Sequence, residues 1–212
     1  MSDMEFLPLA QGVIEGDLDT VLNEVQRHLT SGVSPQTIMD DHLVPAMREV
    51  GRLFEEGEYF VPELMVSARA MQEAMKVLNP LLSEAGAQKI GRVVIGTVKG
   101  DFHDIGKNLV AAMLEGGGFE VVDLGVNVSP EQFVEAAQKQ AGTLIAMSAL
   151  LTTTMPQMKS VIEKLEADGL RNTSKVIVGG APVTDEFAKK IGADGYSDNA
   201  SAAVTLAKSF FT

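Results

Sequence analysis

Up to about residue 86 the apolar positions recur every three or four residues, the spacing that lines one face of an α-helix. Leu18, Val21, Leu22, Val25 and Leu29 form one such stripe, opened by Asp17 as an N-cap and closed by Gly32. Ser34 and Pro35 open a second, which runs through Ile38, Leu43, Met47, Val50 and Phe54 to Gly57. Pro62 starts a longer stripe through Leu64, Ala68, Met71, Met75 and Leu78. With a short helix near residues 5–15, the pattern predicts a four-helix bundle.

After Gly86 the rhythm changes. Strand-like runs at 92–98, 120–124, 143–148, 175–178 and, more weakly, 194–197 alternate with helical patterns at 105–115, 130–141, 155–168, 184–191 and 199–210. Such alternation implies right-handed βαβ crossovers and a parallel sheet covered by helices. The predicted fold is therefore α/β: an N-terminal four-helix bundle over 1–88, then a Rossmann-like (flavodoxin-like) domain over 89–212 with a five-stranded parallel sheet. Leu81 to Gly91, containing Ser83 and Gly86, reads as the linker. No internal repeat or low-complexity tract stands out.

The stretch Gly100-Asp101-Phe102-His103-Asp104-Ile105-Gly106-Lys107-Asn108 follows the first strand and enters a helix, setting one histidine between two carboxylates. Open α/β sheets bind ligands just there, outside the carboxyl ends of their strands. A phosphate loop ending in Gly106-Lys107 is the first rival, and it fails in three ways. Gly100 comes one position too early, Asn108 replaces the magnesium-binding Ser or Thr, and Asp101 and Asp104 would repel phosphate. A zinc hydrolase is the second, but His28 and His42 lie in the helical half without ligand-like spacing and read as surface or structural histidines. What remains is one histidine on a metal whose other ligands the protein does not make, a requirement that a macrocyclic cofactor meets.

Composition narrows the setting. The chain has 212 residues, no cysteine, and 29 acidic against 17 basic side chains, for a net charge of −12. With no thiol, disulfides, zinc–thiolate sites and self-contained iron–sulfur clusters are excluded. An acidic surface argues against nucleic acid or an anionic membrane as partner. The start Met-Ser-Asp-Met-Glu-Phe lacks a signal sequence, and no apolar run approaches the roughly 20 residues that span a bilayer, so a cytoplasmic location is expected.

Three motifs in order, each at the end of a predicted strand, resemble those of cobalamin-binding domains: Asp101-x-His103-x-x-Gly106, Ser148-Ala149-Leu150 and Gly179-Gly180. In the first half, Gly51-Arg52-Leu53-Phe54-Glu55-Glu56-Gly57 followed by Tyr59-Phe60-Val61-Pro62 is similar to the helical cap that precedes this domain in methionine synthase and in small corrinoid proteins of methyltransferase systems. The resemblance covers nearly the whole chain.

The resemblance implies that the cofactor is cobalamin or a related corrinoid, passing through methylcobalamin and cob(I)alamin states. His103 would be the cobalt ligand, replacing the cofactor's own base, with Asp101 on its other nitrogen and Thr154 continuing the relay. Gly100, Phe102, Asp104, Ile105 and Gly106 complete the cofactor loop. Ser148, Leu150, Thr152, Gly179, Gly180, Asn199 and Ala200 would line the slot for the nucleotide tail. In the cap, Phe54 and Val61 match residues over the upper face of the corrin, and Asp40 matches an acidic cofactor contact.

The implied function is a corrinoid methyl carrier, not catalytic alone. A substrate-specific methyltransferase would place a methyl group on cobalt(I), and a methyl-acceptor methyltransferase would pass it to tetrahydrofolate or coenzyme M. A reductive activator protein would be a third partner. The alternatives are a subunit of an adenosylcobalamin mutase, or a cobalamin sensor or storage protein. The cap motif resembles methyl carriers rather than mutases. Sensors of this kind usually append a DNA-binding domain, which is not seen here, and the family's light receptors place tryptophan in the cap, whereas this chain has none.

Overall fold

The computed structural model describes residues 8–84 and 89–211. They divide into two compact units, one of the described residues up to Lys89 together with Glu115–Gly118, the other of Ile90–Leu114 and Phe119 onward.

The first unit is helical: α1 (Pro8–Glu15), α2 (Leu18–Thr30), α3 (Pro35–Ile38), α4 (Val44–Glu55) and α5 (Val61–Glu84). Asp17 caps α2, accepting from the Thr20 amide, and Ser34 caps α3 with Pro35 in its first turn. The apolar stripe beginning at Ile38 is not one regular helix. Met39–Leu43 form a π-helical turn between α3 and α4, and the Val44 amide reaches back to the Met39 carbonyl. The cause lies in the spacing: five residues of α-helix would carry Leu43 about 140° away from Ile38 around the axis, and the wider turn corrects this phase. Both side chains are thereby fully buried.

Helix α5 extends to Glu84, so Leu81 and Leu82 are helical rather than linker. Residues 85–88 of the expected linker, and residues 5–7 of the expected first helix, lie outside the described residues. The core of this unit joins Leu9 and Val13 of α1, Val21 and Val25 of α2, Met47 and Val50 of α4, and Leu64, Met71, Met75 and Leu78 of α5. The Ile14 carbonyl at the end of α1, which has no helical partner, accepts from Ser67 Oγ (2.8 Å) and Tyr59 Oη (3.2 Å).

The second unit is a five-stranded parallel sheet in the order β2-β1-β3-β4-β5, with β1 Arg92–Thr97, β2 Glu120–Asp123, β3 Leu144–Ser148, β4 Lys175–Gly179 and β5 Gly195–Tyr196. This is the flavodoxin-like doubly wound order. Helices α7 (Pro130–Gln138), α8 (Pro156–Ala167) and α9 (Asp185–Ile191) pack on Val94, Val98, Ile145, Met147, Val176 and Val178. Helices α6 (Ile105–Gly116) and α10 (Ala200–Lys208) pack with Val93, Ile95, Leu144, Ala146 and Ile177 on the opposite face. Covered on both faces, β1 is buried throughout, and this is why its sequence is a continuous apolar run without alternation.

The strand order reverses between β1 and β3, the place where open α/β sheets bind their ligands. Thr97, Ser148 and Gly179 pair in register across β1, β3 and β4, and all three predicted motifs therefore reach the same edge of the sheet. No helix among the described residues is long and apolar enough to cross a membrane.

Candidate corrinoid site

The loop between β1 and α6 turns at Gly100, whose φ of +82° suits a residue without a Cβ. The turn sends Asp101 inward, where it is 0% exposed. A buried carboxylate must be matched by donors, and Asp101 has five. Oδ1 accepts from the His103 amide (3.1 Å) and from His103 Nδ1 (2.6 Å). Oδ2 accepts from the Leu150 and Leu151 amides (2.8 and 3.2 Å) and from Thr154 Oγ1 (2.7 Å). Burial by itself would raise the pKa of this carboxyl; the bonds from His103, Thr154 and the backbone amides outweigh it and hold the group well below the usual carboxylate range.

An ionised Asp101 can only accept, so His103 Nδ1 carries a proton, and in the neutral ring this leaves the lone pair on Nε2. The ring is half exposed, and no described residue bonds Nε2. Thr97 Oγ1 donates to the His103 carbonyl (2.9 Å), tying the histidine to β1. Asp101, His103 and Thr154 are thus brought together from two loops, with the branched Thr154 side chain directed at Asp101. The two carboxylates flanking the histidine have different surroundings. Asp104 turns away and accepts from Asn108 Nδ2 (3.2 Å) in the first turn of α6.

Around the histidine the surface is apolar. Phe102 and Ile105 are 67% and 63% exposed, and Leu150 and Leu151 flank them from the other loop. A Cβ added at Gly106 would meet nothing within 4 Å, so nothing within the protein fills the space beside it. Lys107, whose position suggested a phosphate loop, is instead buried, bonded to Asp123 and to Asn108 Oδ1 (2.7 Å). Its side chain is engaged by Asp123 and Asn108 and does not point to a ligand.

The remaining predicted positions fall in both units, those of the α/β unit at the strand ends. Ser148 ends β3, half-buried, and Thr152 is exposed in the turn before α8. Gly179 ends β4; a Cβ there would sit 3.0 Å from the Ser197 carbonyl oxygen. Gly180 has φ +124°, and a Cβ would fall 2.0 Å from the Ala149 carbonyl oxygen, so close approach of the two strand ends by itself requires glycine. Asn199 caps α10, its Oδ1 accepting from the Ala202 amide (2.8 Å), and Ala200 is buried behind it. In the helical unit, Phe54 is half-buried on α4, Val61 is exposed as the first residue of α5, and Asp40 is exposed in the π-turn, accepting from Gln36 Nε2 (2.7 Å). His28 and His42, fourteen positions apart in sequence and without ligand-like spacing, lie against each other with ring centroids 4.8 Å apart. No group of three potential metal-ligating side chains forms among the described residues.

Two family descriptions match this chain, both of a B12 binding domain: one over residues 91–205 and one over residues 8–79. Dimethylamine corrinoid protein 1 of Methanosarcina acetivorans is 46% identical over 210 residues, which cover 98% of each chain. The chain belongs to the corrinoid proteins of methyltransferase systems. Among solved structures, a cobalamin-binding protein from Desulfitobacterium hafniense is similar to this corrinoid protein with a TM-score of 0.76 and 33% identity, covering 95% of this chain and 96% of that one. The methanol:cobalamin methyltransferase complex MtaBC of Methanosarcina barkeri matches with a TM-score of 0.83 and 34% identity, covering 100% of this chain and 81% of the other.

The cofactor of the corrinoid protein is a corrinoid, and this edge of the sheet fits one. It offers an unpaired imidazole nitrogen, an exposed apolar rim, and free space at Gly106 where any side chain would intrude. Three contributors to the site escaped the sequence reading: the Leu151 amide, the Thr97 hydroxyl, and Asn127, which bonds the Gly100–Asp101 turn. Asn127 carried one legible signal, its place two residues after Gly125 in the turn that follows β2.

Proposed function

We propose that this corrinoid protein is the methyl-carrying subunit of a multi-component system, with His103 Nε2 as its ligand to cobalt. When bound, the corrinoid supplies a metal that accepts a methyl group and gives it up again. The protein's own residues supply control of the ligand. Asp101 fixes the tautomer in which Nε2 can donate, and its five hydrogen bonds keep it an acceptor. Thr154 holds the far oxygen, so the imidazole is oriented from both ends of the carboxylate. Ser148, Leu150, Thr152, Gly179 and Gly180, gathered at the sheet edge, would border the path of the nucleotide tail.

The observation that carries this reading is the 2.6 Å contact between His103 Nδ1 and the buried Asp101, with Nε2 left free at the switch point of the sheet. The relatives named for dimethylamine make a dimethylamine:corrinoid methyltransferase the first partner to test. A methyl-acceptor methyltransferase, using tetrahydrofolate or coenzyme M, and a reductive activator protein complete the proposed system.

The test has two arms. Apoprotein loaded with hydroxocobalamin should show a histidine-ligated, base-off absorption spectrum that His103→Ala abolishes; identical spectra would refute the ligand assignment. Reduced holoprotein mixed with the methyltransferase and labelled dimethylamine should then acquire the label. Failure with dimethylamine, monomethylamine and methanol systems alike would refute the carrier role while leaving the ligand assignment intact.

A further inference from the structure

We infer that Asn127 is a positioning residue for the histidine loop, holding the Gly100–Asp101 turn from the neighbouring loop between β2 and α7; this rests on the reading of His103 as the ligand. Between the end of β1 and the start of α6 the chain has no regular structure, so the polar groups of this stretch need partners from elsewhere. Leu150, Leu151 and Thr154 fix the side chain of Asp101. They leave open what fixes the backbone from which that side chain and His103 both project.

Asn127 closes that gap with two reciprocal bonds. Its Oδ1 accepts from the Gly100 amide (2.8 Å), and its own amide donates to the Asp101 carbonyl (2.9 Å). The pairing continues a short lattice in which Val98 and Val128 form a parallel bridge, Thr97 donates to the Gly125 carbonyl (3.0 Å), and Val128 donates to the Thr97 carbonyl (2.9 Å). Asn127 has φ +54°, a left-handed conformation that among the described residues every other occupant meets with glycine. Asparagine tolerates that conformation better than most side chains. The position thus calls for a residue that accepts a positive φ and also carries a short acceptor, which leaves Asn and Asp.

The test compares wild type, Asn127→Gly, Asn127→Asp and His103→Ala. Asn127→Gly suits the backbone but removes the acceptor, and Asn127→Asp restores one. In apoprotein, the Gly100 amide should exchange with solvent about fivefold faster or more in Asn127→Gly, as expected for one lost neutral hydrogen bond, and at near wild-type rate in Asn127→Asp. After loading with hydroxocobalamin, Asn127→Gly should show a reduced histidine-ligated fraction while its thermal midpoint stays near that of wild type. Asn127→Asp should recover that fraction. If wild type is histidine-ligated and Asn127→Gly equally so, or if Asn127→Asp is as impaired as Asn127→Gly, this inference fails alone. A wild-type spectrum identical with that of His103→Ala overturns the ligand reading, and the inference with it.

Discussion

Replacing Thr154 by valine tests whether the buried carboxylate depends on its third side-chain or amide donor at Oδ2. The substitution keeps the shape and removes only the hydroxyl, which lies 2.7 Å from Asp101 Oδ2 and 2.8 Å from the Leu151 carbonyl. Its one hydrogen serves one of these at a time, and the ionised, fully buried carboxylate is the stronger acceptor. A hydrogen bond to a charged group contributes about 1.5–3 kcal/mol, and the two backbone amides left on Oδ2 have no freedom to compensate. With a denaturant slope of about 2 kcal/mol per molar, the urea midpoint of the α/β unit should fall by about 1 M. The chain has no tryptophan and two tyrosines, Tyr59 in the helical unit and Tyr196 in β5. A Tyr59→Phe background therefore lets Tyr196 fluorescence report the α/β unit alone. Thr154→Ser should remain within about 0.5 kcal/mol of wild type. A valine variant as stable as wild type, or a serine variant as weak as valine, would refute this account of Asp101.

Four further outcomes follow from the geometry. His42 is buried, and burial first, then the nearby His28, lowers its pKa below the usual 6.5, against a smaller opposing effect of Asp41. The unfolded chain therefore takes up a proton more readily, so this contribution to stability is present above about pH 6.5 and is lost as pH falls through the lower folded value. Tyr59 fluorescence in a Tyr196→Phe background should show the helical unit weakening over that range, and His42→Leu should flatten the dependence; an equally steep profile would contradict it. Gly180→Ala should cost more than about 3 kcal/mol or block folding, combining a disfavoured φ with a backbone clash. Gly106→Ala, by contrast, should leave apoprotein stability within about 1 kcal/mol yet weaken corrinoid binding at least tenfold by titration; equal binding would mean the space beside Gly106 is not used. Asp123→Ala should cost about 3 kcal/mol, because it strands the buried Lys107 ammonium, whereas Lys107→Met leaves a carboxylate that water can reach and should cost clearly less. The reverse order in chemical denaturation would be inconsistent with this pairing.

Much of the molecule was legible in the sequence because local signals there agreed with the global ones. The β/α alternation after Gly86, read from continuous apolar runs and intervening helical stripes, gave the five strands to within a residue or two, since parallel strands covered on both faces leave that mark. Helix starts at Asp17 and Ser34 followed from capping chemistry, which depends only on neighbours. The π-turn at Met39–Leu43 was half written in the five-residue step from Ile38 to Leu43 but needed the packed core to show that both residues share one side. The continuation of α5 past Pro80 shows the limit of local rules, since burial of Leu82 holds a turn that proline would disfavour.

For the site, the sequence by itself determined the chemical inventory: one histidine, the carboxylates beside it, a hydroxyl on a later loop, and glycines at strand ends. Residue types and their order are sufficient for that, because each strand end is locally encoded. The tertiary structure decided how these were divided. It buried Asp101 under five donors and left Asp104 facing Asn108; it turned Lys107 into a structural ion pair, and set His28 against His42. It also enlisted Asn127, whose two bonds join positions 26 and 27 residues apart. These outcomes depend on the β2-β1-β3 strand order, which brings loops distant in sequence to one edge of the sheet, and on burial, which makes an unpaired charge too costly to keep. Neither quantity belongs to any single stretch of the chain.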